Sequence, residues 1–120
     1  MTAVTLQSGG VQRVVDLITP DAQASTNSLV VLVGSGVDVR VWSVLSYTIS
    51  IATNGVKWAV YGANAADYSD EVVVKTLVNV AAAAIDSYTV TNPPYGFYRV
   101  KIQSNVADVH GTATLRGMAK

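Results

Sequence analysis

The sequence predicts an all-β protein, an antiparallel β-sandwich of the jelly-roll type. Apolar and polar residues alternate with a period of two in several segments of strand length. Glycine, asparagine and proline separate these segments at short intervals, which is typical of sandwiches and jelly rolls. A third observation is the Asn54-Gly55 pair, which lies between two alternating segments.

Asn54-Gly55 is the clearest local signal. Asn-Gly is preferred at the centre of a two-residue type I′ turn because both positions need a positive φ. A tight hairpin would place Ile51 opposite Trp58 on the same face of one sheet. The sequence therefore predicts that the flanking segments, residues 47–51 and 56–60, are hydrogen-bonded neighbours.

The remaining elements follow from the same alternation. Phe97 to Ser104 alternates strictly, and Thr112 to Arg116 is expected to run back antiparallel to it. Val11 to Ile18 also fits helical spacing, but its β-branched residues favour a strand. Residues 80–85 stay open between a helical turn and a strand. The other predicted strands are Ala3–Gln7, Leu29–Val33, Val37–Val41, Glu71–Val78 and Ser87–Thr91, with a polar loop over 20–28 and a rigid Pro-Pro connection over 92–96.

Length and composition predict one domain over residues 1–120, with residues 1–28 as an N-terminal arm or edge segment. Half of the residues are hydrophobic and only 13% are charged, whereas about 25% is typical. A monomer usually needs charge to stay dispersed and to protect its sheet edges. The low charge therefore favours a homo-oligomer in which part of the surface is covered by other subunits.

Several function classes are disfavoured by what the sequence lacks. The net charge is zero and no run of like charge occurs, so the pattern of nucleic-acid binding is missing. There is no cysteine, and His110 is the only histidine, which leaves no thiolate or two-histidine metal site. The longest apolar stretches are too short to span a bilayer. The first residues do not resemble a signal peptide, so we expect a protein made in the cytoplasm, without a membrane partner.

Catalytic signals are equally sparse. His110 precedes a glycine and is expected to be a solvated loop residue. Gly34-Ser35-Gly36 is the nearest approach to a nucleophile elbow, but it lacks the strand-to-helix setting that such an elbow needs. The sequence predicts a non-enzymatic protein without a cofactor.

Acidic residues cluster weakly in one loop. Asp67, Asp70 and Glu71 could supply oxygen ligands to calcium, but their spacing does not match an EF-hand loop. A solvated loop or subunit salt bridges are favoured over a metal site, and no metal is predicted.

Aromatic residues divide into two groups. Tyr47, Trp58 and Tyr98 lie on faces that are expected to be buried. The second group, out of phase with the apolar face or in a loop, contains Trp42, Tyr61, Tyr95 and Phe97, of which Trp42, Tyr95 and Phe97 are the candidate interaction surface. Such residues can stack on sugar rings, but contact with a neighbouring subunit is favoured because exposed apolar patches usually mark protein contacts.

Three segments carry a family resemblance: Ser46 to Ala63 with Trp58 after the Asn-Gly turn, Tyr98 to Ile102, and Gly111 to Gly117. Together they resemble small β-sandwich proteins of tailed bacteriophages, which include capsid decoration proteins of the jelly-roll type. No catalytic or ligand residue carries over from this family.

The resemblance implies a virion structural protein, made in the host cytoplasm, that decorates or cements the phage head. Its expected partners are itself, with a trimer as the expected oligomer, and the major capsid protein lattice. Two alternatives remain open: a carbohydrate-binding or receptor-binding module, and a tail or baseplate component.

Overall fold

A computed structural model describes residues 15–18 and 22–120. No helix in this part of the chain could cross a membrane. The predicted strand Ala3–Gln7 and the first half of Val11–Ile18 lie outside the described residues. The observed strands are β1 Val15–Ile18, β2 Ala22–Ala24, β3 Val30–Val31, β4 Val37–Asp38, β5 Val44–Ile51, β6 Val56–Ala63, β7 Val72–Val80, β8 Ile85–Thr91, β9 Phe97–Ser104 and β10 Thr112–Ala119.

These strands form two antiparallel sheets. Sheet I has the order β1-β10-β5-β8, and β2 also pairs with β10; sheet II has the order β3-β9-β6-β7, and β4 also pairs with β9. Thus β1 and β2 are successive pieces of one edge strand, as are β3 and β4. Apart from β6–β7, each long strand connects to a strand of the opposite sheet. This strand order confirms the predicted sandwich and is that of a jelly roll.

The core lies between the two sheets. The inward side of β5, residues Leu45, Tyr47, Ile49 and Ile51, is almost completely buried. Trp58 on β6 and Tyr98 on β9 are also fully buried, so the predicted burial of Tyr47, Trp58 and Tyr98 is confirmed. Each fully buried large aliphatic side chain stabilises the fold by about 1.5–3 kcal/mol.

The predicted Asn-Gly hairpin is wrong. β5 pairs with β10 and β8, whereas β6 pairs with β7 and β9, so residues 52–55 carry the chain from sheet I to sheet II. Asn54 has a φ of 27°, but Gly55 does not have a positive φ, so no type I′ turn forms. The predicted inward direction of Ile51 and Trp58 is nevertheless correct, because both side chains face the core, from opposite sheets.

The predicted pairing of Thr112–Arg116 with Phe97–Ser104 is wrong for the same reason. β10 pairs with β1, β2 and β5 in sheet I, whereas β9 is in sheet II. The two connections between layers pack on each other: Asn54 Nδ2 donates to the carbonyl of His110 at 2.9 Å. A Cβ at Gly111 would lie 2.3 Å from the Asn54 carbonyl oxygen, so this close approach requires glycine.

Smaller differences occur at the strand ends. The polar loop predicted over 20–28 contains the short strand β2, which continues the edge begun by β1. Residues 81–84 form a turn, with Ala83 at a φ of 60°, between β7 and β8. The Pro-Pro connection leads from β8 in sheet I to β9 in sheet II.

Candidate interaction surfaces

The three aromatic candidates do not form one platform. Trp42 and Tyr95 are half-buried and pack against the core cluster. The Tyr95 ring lies edge-on to Tyr98, with 6.1 Å between centroids. It also covers Gly62, where a Cβ would come within 2.7 Å of the ring. Only Phe97 points to an outer face, because it follows the alternation of β9 opposite to the inward Tyr98.

The acidic candidates separate in the same way. The Asp70 carboxylate accepts the backbone N–H groups of Asn64 and Ala65 at 3.0–3.1 Å, and Asp67 accepts that of Ser69 at 3.0 Å. The hydrogen bond from the Ser69 backbone lowers the pKa of Asp67 below its usual value. Within residues 15–18 and 22–120, no three His, Cys, Asp or Glu side chains converge as metal ligands would. These two carboxylates organise the loop between β6 and β7.

Glu71 instead joins a network on the outer face of sheet II. It accepts hydrogen bonds from Arg99 Nε at 2.5 Å and from Lys101 Nζ at 2.6 Å. Desolvation acts to raise the pKa of Glu71, but the hydrogen bonds from Arg99 and Lys101 outweigh it and the pKa is lowered. All three side chains are at least three-quarters buried, so this ion pair is screened less than a surface pair would be.

The cations of this network also cover the neighbouring rings. Arg99 lies 4.2 Å from the Tyr68 centroid and Lys101 lies 4.3 Å from the Tyr61 centroid. Arg40 lies 5.0 Å from the Phe97 centroid. We call this surface the cationic face; its residues are Arg40, Tyr61, Tyr68, Glu71, Phe97, Arg99 and Lys101. A sugar ring that stacked on the covered side of these aromatics would first have to displace a cation.

The outer face of sheet I has a different chemistry. Its side chains are mostly hydroxyls that lie side by side in register, and Ser46 and Thr89 are hydrogen-bonded at 3.0 Å. Arg116 pairs with Asp16 at 3.2 Å. The residues of this hydroxyl face are Ser46, Thr48, Ser50, Ser87, Thr89, Thr91, Thr112 and Thr114. The two outer faces therefore differ in charge, although they belong to one sandwich.

One lateral edge of the sandwich, formed by β1–β2 and β3–β4, is completed by side chains; we call it the stitched edge. The fully buried Ser35 hydroxyl donates to the Val100 carbonyl at 3.1 Å and accepts the Val100 N–H at 3.0 Å. These two hydrogen bonds satisfy the backbone groups of Val100 on β9, which lies between the residues that pair with β3 and those that pair with β4. Gly34-Ser35-Gly36 thus has a structural contact that the sequence did not reveal, because Val100 lies far away along the chain.

The stitched edge also contains a chain of hydroxyls. Ser25 and Ser104 are hydrogen-bonded at 2.8 Å, and Ser104 contacts His110 Nδ1 at 2.9 Å. The Ser104–His110 distance is within the reach of a nucleophile and its base. However, Ser104 is only 6% exposed, and Ser25 already binds it. The arrangement joins the residue after β2, the end of β9 and the connection before β10. Sequence reasoning missed it because His110 looked like an isolated loop residue.

The opposite edge, formed by β7 and β8, is the open edge. Five of the ten exposed large aliphatic residues in the described chain lie on it: Val72, Val73, Leu77, Val78 and Ile85. Between its two strands, Trp58 Nε1 donates to Asp86 Oδ2 at 2.9 Å. Lys75 Nζ lies 4.4 Å from the Trp58 ring centroid, and desolvation lowers the pKa of Lys75. The sequence signal for this edge is the run from Val72 to Val80, which is apolar without strict alternation.

No protein-family model and no curated protein sequence matches this chain. Solved structures with a similar fold exist at low sequence identity. A subunit from Bacillus endospore appendages, described as a novel family of disulfide-linked pili, is 14% identical, with 99% of this chain and 98% of that chain covered and a TM-score of 0.53. The prophage-derived protein YomS of SPBc2 is 13% identical, with 88% and 97% covered and a TM-score of 0.52. PirA is 12% identical, with 80% and 90% covered and a TM-score of 0.55. These likenesses concern the fold.

Proposed function

We propose that this chain is a non-enzymatic structural protein of a virion, which decorates or cements the capsid of a tailed bacteriophage through contacts with itself and with the major capsid protein lattice. The observation that carries this proposal is the open edge, where β7 exposes four large aliphatic side chains within residues 72–78 and β8 exposes a fifth, Ile85. Exposed apolar residues that are grouped in this way mark protein contacts.

The distribution of charge supports an assembly role. Glu71 offsets one of the two positive charges of Arg99 and Lys101, and Asp38 pairs with Arg40 at 2.6 Å. The hydroxyl face has few charges and the open edge is apolar, so contacts at either surface leave few charges to desolvate. Each contact repeats in every subunit of a symmetric assembly, so a modest patch per chain gives a large total interface.

The structural neighbours agree with this proposal in part. One is prophage-derived and another comes from pili, which are subunit assemblies. The disulfide link named for those pili has no counterpart in this sequence, because the sequence contains no cysteine. Assembly of this chain would therefore depend on non-covalent contacts.

Copy number in purified particles tests the proposal. Particles are induced from the strain that encodes the chain, banded by density, and analysed by quantitative mass spectrometry. A copy number comparable to that of the major capsid protein supports decoration. A few copies per particle would instead identify a tail or baseplate component, and absence from all particles would overturn the virion assignment.

A carbohydrate-binding module is the second candidate, because Phe97 and Tyr61 place aromatic rings on the cationic face. The matched variants are Phe97→Ala, which removes a ring of that face, and Val106→Ala, which truncates an exposed residue beyond the far end of β9. Binding on a glycan array that is lost in Phe97→Ala and kept in Val106→Ala would favour this function. A wild-type array without signal would exclude the glycans tested.

A further inference from the structure

We propose that β8 pairs antiparallel with β8 of a second copy of this chain, about a two-fold axis at Tyr88. The pairing would join sheet I of the two copies into one continuous sheet. It goes beyond the capsid role, which requires subunit contacts but does not specify them.

A comparison of the sheet edges selects β8. The pieces of the stitched edge are only two to four residues long. β7 is nine residues long, but its register with β6 shifts twice, and Lys75 points inward over Trp58. Bulges and inward-pointing charges are two devices by which proteins prevent pairing at an edge. β8 has seven residues in unbroken register with β5, without proline or lysine, and its one inward-pointing charge, Asp86, accepts a hydrogen bond from Trp58 Nε1.

The backbone of β8 presents an outward row of donors and acceptors that no strand among residues 15–18 and 22–120 pairs with. Val44 exchanges hydrogen bonds with Lys120, which directly follows β10, so the backbone groups of the next residue on β5, Leu45, point towards β8. Asn92 N–H accordingly donates to the Ser43 carbonyl at 2.6 Å. By alternation, the backbone groups of Ile85, Ser87, Thr89 and Thr91 point away from β5. No strand of the described chain other than β5 pairs with β8. The Ser87 N–H is held by the Asp86 side chain at 2.9 Å, so this one donor must exchange its acceptor when the second copy pairs.

A second β8 fits this edge in length and in charge. With the axis at Tyr88, Ile85 lies opposite Thr91 of the second copy, and Asp86 lies opposite its Val90. No like charges are opposed, and all seven residues of the strand take part. A shift of the axis to Thr89 would bring Pro93 of the second copy into the ladder, where it cannot donate.

The same two-fold arrangement accounts for the exposed aliphatics of β7. β7 and β8 form the same lateral edge, so pairing of β8 brings the β7 strands of the two copies side by side. Val72, Val73, Leu77 and Val78 would then be partly covered by their counterparts. Lys75 and Asp86 carry opposite charges at this edge, and each lies beside Trp58.

The first test is the mass of the chain in solution, measured by light scattering after size exclusion. We expect twice the chain mass of 12.6 kDa. Thr89→Pro removes an outward N–H without breaking a bond to β5 and should weaken dimerisation by about tenfold or more. Thr89→Ala is the matched control, because it also loses the Ser46 contact but keeps the N–H, and it should remain dimeric.

The second test uses the absence of cysteine from the sequence. In the proposed register, Tyr88 faces its own counterpart in a non-hydrogen-bonded pair, where Cα atoms are about 4.5 Å apart. This distance suits a disulfide. Tyr88→Cys should therefore oxidise to a covalent dimer faster than Val41→Cys, although Val41 is 84% exposed.

Three outcomes would overturn the pairing: a monomeric wild type, a trimer insensitive to Thr89→Pro, or cross-linking through Val41→Cys at the same rate. A trimer found on phage particles would overturn the pairing and leave the capsid role standing. A dimer with these variant effects that is absent from phage particles would support the pairing and overturn the capsid role.

Discussion

The two lateral edges of this sandwich are protected in different ways. At the stitched edge, short strands leave gaps in the ladder, and buried hydroxyls such as Ser35 fill them. At the open edge, long strands are regular or bulged, and aliphatic side chains remain exposed. Proteins usually blunt edges with charge or with short strands. This chain has little charge to use: it satisfies one edge internally and leaves aliphatic side chains exposed at the other, which we propose a second copy covers.

The largest loss of stability is expected at the stitched edge, where the Ser35 hydroxyl takes the place of hydrogen bonds from a neighbouring strand. Ser35→Ala leaves the buried N–H of Val100 without its partner and should lower the free energy of unfolding by about 2 kcal/mol. Urea unfolding measures this loss. Ser43→Ala, at an exposed position, should change stability by less than about 0.5 kcal/mol. Equal midpoints for the two variants would show that Ser35 does not complete the edge.

Breaking the hydroxyl chain of Ser25, Ser104 and His110 at the same edge should lower the unfolding free energy by a smaller amount. Ser104→Ala removes the partner of both Ser25 and His110 and should cost about 1 kcal/mol. Ser87→Ala removes an exposed hydroxyl from the open edge and should be nearly neutral. Thermal unfolding of both variants compares the edges directly. A cost at Ser87 as large as that at Ser104 would contradict the distinction.

Glu71 links the start of the open edge to the centre of sheet II, and its contribution should depend on pH. Its pKa is lower in the folded protein than in the unfolded chain, so its stabilisation is complete above the unfolded value of about 4.3. The stabilisation is lost as the pH falls through the folded value. Glu71→Gln should therefore flatten the dependence of the unfolding free energy on pH below about 4.3. Asp16→Asn, in the exposed pair with Arg116, is the control and should leave most of that dependence in place.

The sequence predicted which side of each strand is buried better than it predicted which strands are neighbours. Tyr47 and Trp58 are buried as expected, yet they belong to opposite layers. Alternation specifies an inward face, but a hairpin and a connection between two sheets bury that face equally well. The distinguishing information was the φ of Gly55 and the packing of Gly111 against Asn54, both of which depend on the folded neighbours.

The surfaces were predicted less completely than the fold. Asp67, Asp70 and Glu71 are adjacent in sequence, but Glu71 binds cations on β9, some 28 and 30 residues away. The Ser35 contact spans 65 residues and the Ser25–Ser104 contact spans 79, so no local pattern could indicate them. The open edge is the exception. Its valine-rich run from Val72 to Val80 breaks the period of two, which marks a strand with apolar residues on both faces.

The smallest expected change in stability is that of a substitution at Lys75, whose charge points inward from β7. Desolvation lowers the pKa of Lys75, because burial disfavours its charged form. Removing this charge offsets the packing that is lost, so Lys75→Met should alter the unfolding free energy by less than about 0.5 kcal/mol. Its effect on association should be much larger, because an inward-pointing charge is what opposes strand addition at β7. Turbidity and light scattering at rising concentration measure this association. Lys57→Met makes the same change on β6, which has strands on both sides, and should remain dispersed. Equal solubility of the two variants would mean that the bulges of β7 alone prevent strand addition there. Lys75 would then play no part in restricting strand pairing to β8.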